Sequence, residues 1–350
     1  MRKMPWWLLG LGVVVVLAGL PEVAPAKAHA TGATPGTINA PFASTSIWRR
    51  AVPAGATLHA LNGAIATTSP SSSWSAGLDL VTVCKTSPSG KLVNVERSSG
   101  WSLPARSTST GEVQYQRRLA ATACTDVSWN PVGNGLFVLY DAASGTADLG
   151  VGAWRVKGGP LLNGAPDGTR AHHLDVIAGD GTTGYGRASG LPALGGLLRS
   201  GEMRGGIKHA VAINLPNRLL SASRHFTWPA SSADASAGIT YLGSDPALTM
   251  GSLLAIPPEV KVAKLSWHTK EGKNLALAAQ RYGWYVVDAI GGGDQLQLGM
   301  ETGAARANLG LSIDAAGHQQ VDAAKVDMVG LNADLNAIVG LLVVVEQAQP

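Results

Sequence analysis

The sequence has little charge, few aromatic residues and almost no cysteine. Only 14% of its 350 residues are charged, against 44 Gly and 19 Pro, a combination that excludes a coiled coil or a long helical bundle. A hydrophobic fraction of 45% excludes disorder along the whole chain, because it supplies enough apolar surface for a core. Gly-x-Ser-x-Gly, His-Glu-x-x-His and Cys-x-x-Cys are all absent, so serine hydrolase, zincin and thiol-redox readings are weak. Gly291-Gly292-Gly293-Asp294 is no phosphate-binding loop, since no Lys-Ser/Thr follows it. No cofactor is expected.

The first thirty residues read as an address. Arg2 and Lys3 precede an apolar run from Trp6 to Leu20, and Ala28-His29-Ala30 supplies an A-x-A site, the three parts of a secretory signal peptide. The run is short for a bilayer span, which needs roughly 20 residues. Cleavage after Ala30 removes Arg2, Lys3, Lys27 and Glu22, leaving 24 basic and 22 acidic residues. That bias excludes a nucleic-acid partner, which would need a clustered basic face. No later stretch is long and apolar enough to span a membrane. Export also gives meaning to the two cysteines, Cys84 and Cys124, because an oxidising compartment favours joining them.

Organisation follows from local pattern. Residues 31–41 are small and turn-rich and read as a flexible entry, and residues 42–350 as one β-rich domain. Leu78–Val83, Leu136–Tyr140, Gly206–Ile213 and Trp284–Val287 are rich in strand formers and bounded by turn residues. Segments 67–77 and 98–111, rich in Ser, Thr and Gly, read as surface loops. A helix is expected from Thr269 to Tyr282 with Gly283 as its stop, and a second around Asn332–Ile338 feeding a strand at Leu341–Val345. The fold class expected is all-β, a single sandwich or jelly-roll-like domain with one or two short helices.

Pro41-Phe42-Ala43-Ser44-Thr45-Ser46-Ile47-Trp48 and Val52-Pro53 resemble the opening of a family of secreted bacterial β-rich proteins. The block Gly190-Leu191-Pro192-Ala193-Leu194-Gly195-Gly196-Leu197-Leu198-Arg199, continuing through Glu202 to Gly206-Ile207-Lys208-His209-Ala210, is similar to that family's central motif. So are Arg281–Asp288 and Asp334–Ile338. The resemblance implies an extracellular protein acting on polysaccharide. The chain departs from it at Asn134-Gly135-Leu136, where relatives carry Asp-x-His, and at Gly152-Ala153-Trp154, where they carry an acidic-aromatic pair.

Polar residues are densest between 199 and 225. On a strand over 206–213, Ile207, His209 and Val211 share one face, which places an acid–base histidine among apolar neighbours. Glu202 is the candidate acid or nucleophile for glycosidic chemistry, which uses two carboxylates; Asp175, Asp180 and Asp288 are the candidate partners. Elimination beside a uronate would instead use His209 as base, Tyr282 or Tyr285 as acid, and Arg204 or Arg224 to neutralise the carboxylate. Arg224-His225-Phe226-Thr227-Trp228 joins a cation, an imidazole and an indole suited to a sugar ring. His172-His173-Leu174-Asp175 invites a metal, but adjacent histidines on a strand face opposite ways, so no metal site is expected.

The sequence thus leads to a secreted polysaccharide-degrading enzyme, hydrolase or lyase, acting on an extracellular glycan. Glu202, His209, Tyr285 and Asp288 are its candidate catalytic residues, and Arg204, Arg224, His225, Trp228 and Tyr282 its substrate contacts. The alternative is a non-catalytic carbohydrate-binding or cell-surface protein, in which Trp228 and Trp284 would carry affinity.

Overall fold

Runs of Val, Leu, Ile and aromatic residues build the central strands. The structure is a computed structural model and describes residues 37–347, except 70, 129–132, 166–172 and 315–317. The signal-peptide reading of 1–30, the first part of 31–41 and His172 lie outside the described residues. Strands in the first half are β1 (Leu58–Ala60), β2 (Ser75–Lys85), β3 (Lys91–Ser98), β4 (Ser109–Leu119), β5 (Leu136–Asp141), β6 (Thr146–Gly150), β7 (Leu161–Asn163) and β8 (Leu174–Asp175). Then come α1 (Glu202–Gly205), β9 (Val211–Pro216), α2 (Ala237–Thr240), β10 (Leu253–Ala255), α3 (Lys270–Arg281), β11 (Trp284–Ile290) and β12 (Gln295–Glu301). The chain closes with α4 (Thr302–Leu309), β13 (Ser312–Ile313), β14 (Gln319–Gln320), α5 (Met328–Val339) and β15 (Val343–Val345).

Strand dominates and the helices are short, the all-β class expected. Ten strands form one sheet in the order β1-β15-β10-β11-β9-β12-β2-β5-β6-β8, and β4-β3-β7 form a second. Three neighbouring pairs of the large sheet are parallel: β11 with β9, β12 with β2, and β2 with β5. Such strands are buried on both faces and read as near-continuous apolar runs, as β9 (VAINLP) does with all six residues buried. One face holds the largest core, where Val211, Ile213, Leu298 and Met300 meet Leu275, Ala279, Leu331 and Leu335 of α3 and α5. Thr269 caps α3 by accepting from the Gly272 amide at 2.8 Å, the helix start expected from the sequence.

The opposite face is closed by the segment around Trp48 and by the loop around Gly195-Gly196. Trp48 is buried, and its indole Nε1 donates to the Gly181 carbonyl at 2.8 Å. A Cβ on Gly195 would come within 2.3 Å of the Trp48 ring, and one on Gly196 within 2.5 Å, closer than any side chain tolerates. The Gly-Gly pair therefore exists to seat this indole. Ile38 and Ala40 are buried as well, which corrects the flexible entry read over 31–41 from Ile38 onward.

Three local expectations are corrected. The strand read over 206–213 opens only at Val211, because the Ala210 amide donates to the Trp48 carbonyl at 2.8 Å rather than to a neighbouring strand. The loop read over 67–77 is cut short because Ser75 to Gly77 pair with Gln295 to Gln297 of β12. The loop read over 98–111 gives up its ends to β3 and β4, where Ser98 pairs with Ser109.

Cys84 and Cys124 form a disulfide, with Cα atoms 5.3 Å apart and a sequence separation of 40. It ties β2 to the segment after β4. Closing a loop of that length contributes about 3–4 kcal/mol in the chain-entropy account. Cys84→Ser should lower the melting temperature under non-reducing conditions; an unchanged midpoint in calorimetry would remove the disulfide from the stability account.

Candidate active site

Gly201, at φ 81°, turns the chain into the single turn of α1 and directs Glu202 back toward the residues before it. Its Oε2 accepts from the Arg199 amide at 2.7 Å and lies 3.2 Å from His209 Nε2. His209 Nδ1 lies 2.8 Å from the Ala210 carbonyl. Both ring nitrogens of this buried histidine therefore face acceptors. A neutral ring donates to one of them, whereas an imidazolium donates to both. Burial alone would raise the Glu202 carboxyl, but the hydrogen bond and charge of His209, helped by Arg199, hold it below the usual carboxylate range.

The second carboxylate is one that reading the sequence missed. Glu301 ends β12, and its Oε1 lies 3.2 Å from Arg199 Nε. Burial raises its carboxyl above the usual range against the opposing pull of Arg199, and the negative charge of Glu202 adds a smaller rise. Arg199 is itself buried, held by donation to the Leu197 and Leu194 carbonyls at 3.0 and 3.4 Å. One fixed guanidinium thus influences two glutamates whose proton affinities are pushed apart. Both remain reachable, with side chains 22% and 21% exposed. Arg199 also lines a cleft of about 270 Å³ together with Met203, Arg204, Met300 and Lys325.

The other expected site residues do not all gather here. Arg204 pairs with Glu271 of α3 and donates to the Lys325 carbonyl, bracing α1 against two neighbours. Tyr285 is buried, its ring edge-on to Trp48 with centroids 5.2 Å apart. Its hydroxyl donates to Gln347 Oε1 at 3.0 Å, and burial raises its pKa. Gln347 in turn donates to the Trp228 and Gly251 carbonyls, so Trp228 and Tyr285 share a partner. Tyr282 is half-buried beneath the Arg281 guanidinium, 5.3 Å from its ring centre. Arg224 bonds Thr227, and His225 packs edge-on to Tyr241 at 5.9 Å. Asp175 and Asp180 are exposed and cap local turns by accepting from the Ile177 and Thr182 amides. Trp284 is fully buried, so the sugar contact expected of it under the binding reading has no surface. No cluster of metal-ligating residues occurs among the described residues.

Asp288 belongs to a different polar centre. It sits beside Asn214 of β9, which pairs in turn with Gln297 of β12. Arg187 bridges from a loop to Asp79 of β2 and reaches Asn214 at 3.4 Å, with its NH2 over Gly299. All four of Asp79, Arg187, Asn214 and Asp288 are buried. Burial, then the charge of Asp79, pushes the Asp288 carboxyl from 3.8 up to about 7 against the pull of Arg187. Gln297 and Glu301 are four residues apart on β12, about 13 Å along the strand. Asp79 pairs with Gly299, so this centre spans the middle of the strands and comes within two residues of Glu301.

The segments Asn134-Gly135-Leu136 and Gly152-Ala153-Trp154 lie against each other. The Gly152 and Ala153 amides donate to the Asn134 and Gly135 carbonyls at 2.7 and 3.1 Å. Buried Arg106 bonds both segments through the Ala153 and Gly133 carbonyls. A Cβ at Gly135 would collide with its guanidinium. Compared with known proteins, the chain matches no family model, no curated protein and no solved structure.

The buried Asp288 makes a pH prediction. Its folded form holds a proton up to about pH 7, above the ordinary 3.8, so the stability this group supports is present below the ordinary carboxylate range and is lost as pH rises through about 7. Asp288→Asn carries no charge and removes that loss. Its melting temperature should gain on the wild type between about pH 5 and pH 8. Parallel melting curves across that window would show that Asp288 is ionised throughout.

Proposed function

We propose that this protein is a secreted polysaccharide-degrading enzyme that hydrolyses a glycosidic bond. The observation that carries this reading is the pair Glu202 and Glu301, displaced in opposite directions about one guanidinium. Two titratable groups whose surroundings drive them apart are the arrangement that assigns an acid and a base. Glu301, which keeps its proton to higher pH, protonates the glycosidic oxygen as the carbon–oxygen bond breaks. Glu202, ionised, takes a proton from the attacking water or bonds to the anomeric carbon itself. Inverted or retained product configuration distinguishes those two courses.

Elimination is the weaker course. A lyase base needs a free lone pair, and both nitrogens of His209 face acceptors. The Tyr285 hydroxyl is buried against Gln347, away from any substrate proton. Secretion is supported by the A-x-A site behind an apolar run, and by a disulfide of the kind an oxidising compartment keeps. No helix among the described residues is long and apolar enough to cross a membrane.

The test is a panel of neutral and uronate-containing polysaccharides, followed for new reducing ends and for the ultraviolet absorbance of an unsaturated uronate. Reducing ends without that absorbance are expected. Glu202→Gln and Glu301→Gln should each lower kcat by about 10²–10⁴ while the melting curve persists. Activity should rise as pH climbs through the Glu202 titration and fall as it climbs through that of Glu301, and Glu301→Gln should lose the alkaline fall. Ultraviolet absorbance appearing with the reducing ends would overturn hydrolysis. Saturable glycan binding with neither signal would return the protein to the binding class.

A further inference from the structure

We propose that the substrate is an acidic polysaccharide, its uronate carboxylate held by Arg49 and Lys85 beside the glutamate pair. This rests on the hydrolase reading for its location, and asks of the same site which glycan it takes. Six arginines elsewhere in the fold are matched: Arg97 with Glu112, Arg117 with Asp148, Arg187 with Asp79, Arg204 with Glu271, Arg218 with Asp294 and Arg306 with Asp126. Arg49 and Lys85 are different. Neither makes an ion pair or a side-chain hydrogen bond among the described residues.

Their positions are set by the fold rather than by each other. The Trp48 carbonyl accepts from the Ala210 amide, and the Val52 amide donates to the Arg281 carbonyl, both at 2.8 Å. These bonds pin the 48–52 turn across the entries of β9 and β11, with Arg49 between the two anchor points. From there its charge is felt alongside those of Glu202, Arg199 and Tyr282. Lys85 ends β2, the strand that pairs Val81 with Glu301, and it is exposed at the same end of the sheet. Its charge reaches Glu301.

A half-buried guanidinium without an anion is partly dehydrated in the free protein and keeps its donors available to a ligand. Arg is also the side chain whose planar fork matches a carboxylate in two parallel bonds. Glu202 does not fill that role, since its Oε2 is already engaged by the Arg199 amide and His209. A carboxylate brought by the substrate does. A polymer with an acid group on each sugar would place one against Arg49 while the neighbouring linkage meets the glutamates, and Lys85 would take the next.

The experiment measures binding, not turnover. The full chain carrying Glu301→Gln is titrated calorimetrically with a polyuronate and with the same polymer after its carboxyls are reduced to alcohols. Carboxyl reduction should weaken binding at least about tenfold, and raised salt should narrow the gap. Arg49→Gln should bring polyuronate affinity down to that of the reduced polymer, and Lys85→Gln should weaken it about three- to tenfold. Arg49→Lys should retain part of it, and Lys264→Gln, an exposed cation elsewhere, should change nothing. Equal affinity for the two polymers, or an Arg49→Gln loss that is the same for both, would overturn the proposal. Polyuronate binding with no reducing ends from the wild type would sink the hydrolase reading alone. Hydrolysis of a neutral glycan untouched by Arg49→Gln would sink this one alone.

Discussion

The carboxylate of Glu202 closes the 199–209 segment on itself, and the remainder of the site is arranged around that closure. One oxygen takes both the Arg199 amide and the His209 ring, so the turn before α1 and the residue two places before β9 are held to a single point. Arg199, thereby fixed, presents its guanidinium to Glu301 at the far end of a neighbouring strand. Without Glu202, His209 would be buried with an unmatched nitrogen, and a buried polar group without a partner costs about 1–3 kcal/mol. The same contact therefore supports both the local fold and the division of proton affinity between the two glutamates.

That closure is supported from behind by shape rather than charge. Trp48 fills the space over Gly195 and Gly196 and passes its carbonyl to Ala210. The amino-terminal phrase and the central block, some 150 residues apart in the chain, are thus two halves of one packing unit. The second polar centre, Asp79 with Arg187 and Asp288, lies in the middle of the same strands, where Asp79 pairs with Gly299, and is more deeply buried. Its role in this account is to hold the sheet's open face to the 187–198 loop, and it accounts for the high proton affinity of Asp288 without any part in the chemistry.

Much of the fold was legible because the strongest signals are local. Leu136–Tyr140 and Trp284–Val287 are apolar runs bounded by turn residues, and Thr269 and Gly283 bracket a helix as caps do. The disulfide followed from having only two cysteines in a chain whose opening residues read as an export signal. Parallel pairing of β9 with β11 was not legible, since it depends on crossovers between segments some 70 residues apart. Glu202 and His209 were found because they stand in a polar cluster within the sequence. Glu301 was missed because nothing near it in the chain marks it: it is one carboxylate at a strand end, and its meaning comes from Arg199, about 100 residues earlier. Tyr285 and Trp284 were given surface roles that their type suggested, but both faces of their central strand are covered, so both are buried.

The account stands or falls on the two glutamates titrating apart. Carbon-13 labelling of the glutamate carboxyls, with Glu202→Gln and Glu301→Gln to assign the signals, would follow each by NMR across the acid range. The prediction is that Glu202 ionises below the usual carboxylate range and Glu301 above it, leaving a window in which one is charged and the other protonated. In the Glu202→Gln protein the Glu301 transition should move down, because the charge that holds its proton has gone. Two glutamates ionising together at an ordinary pKa, with neither responding to loss of the other, would contradict the assignment of acid and base.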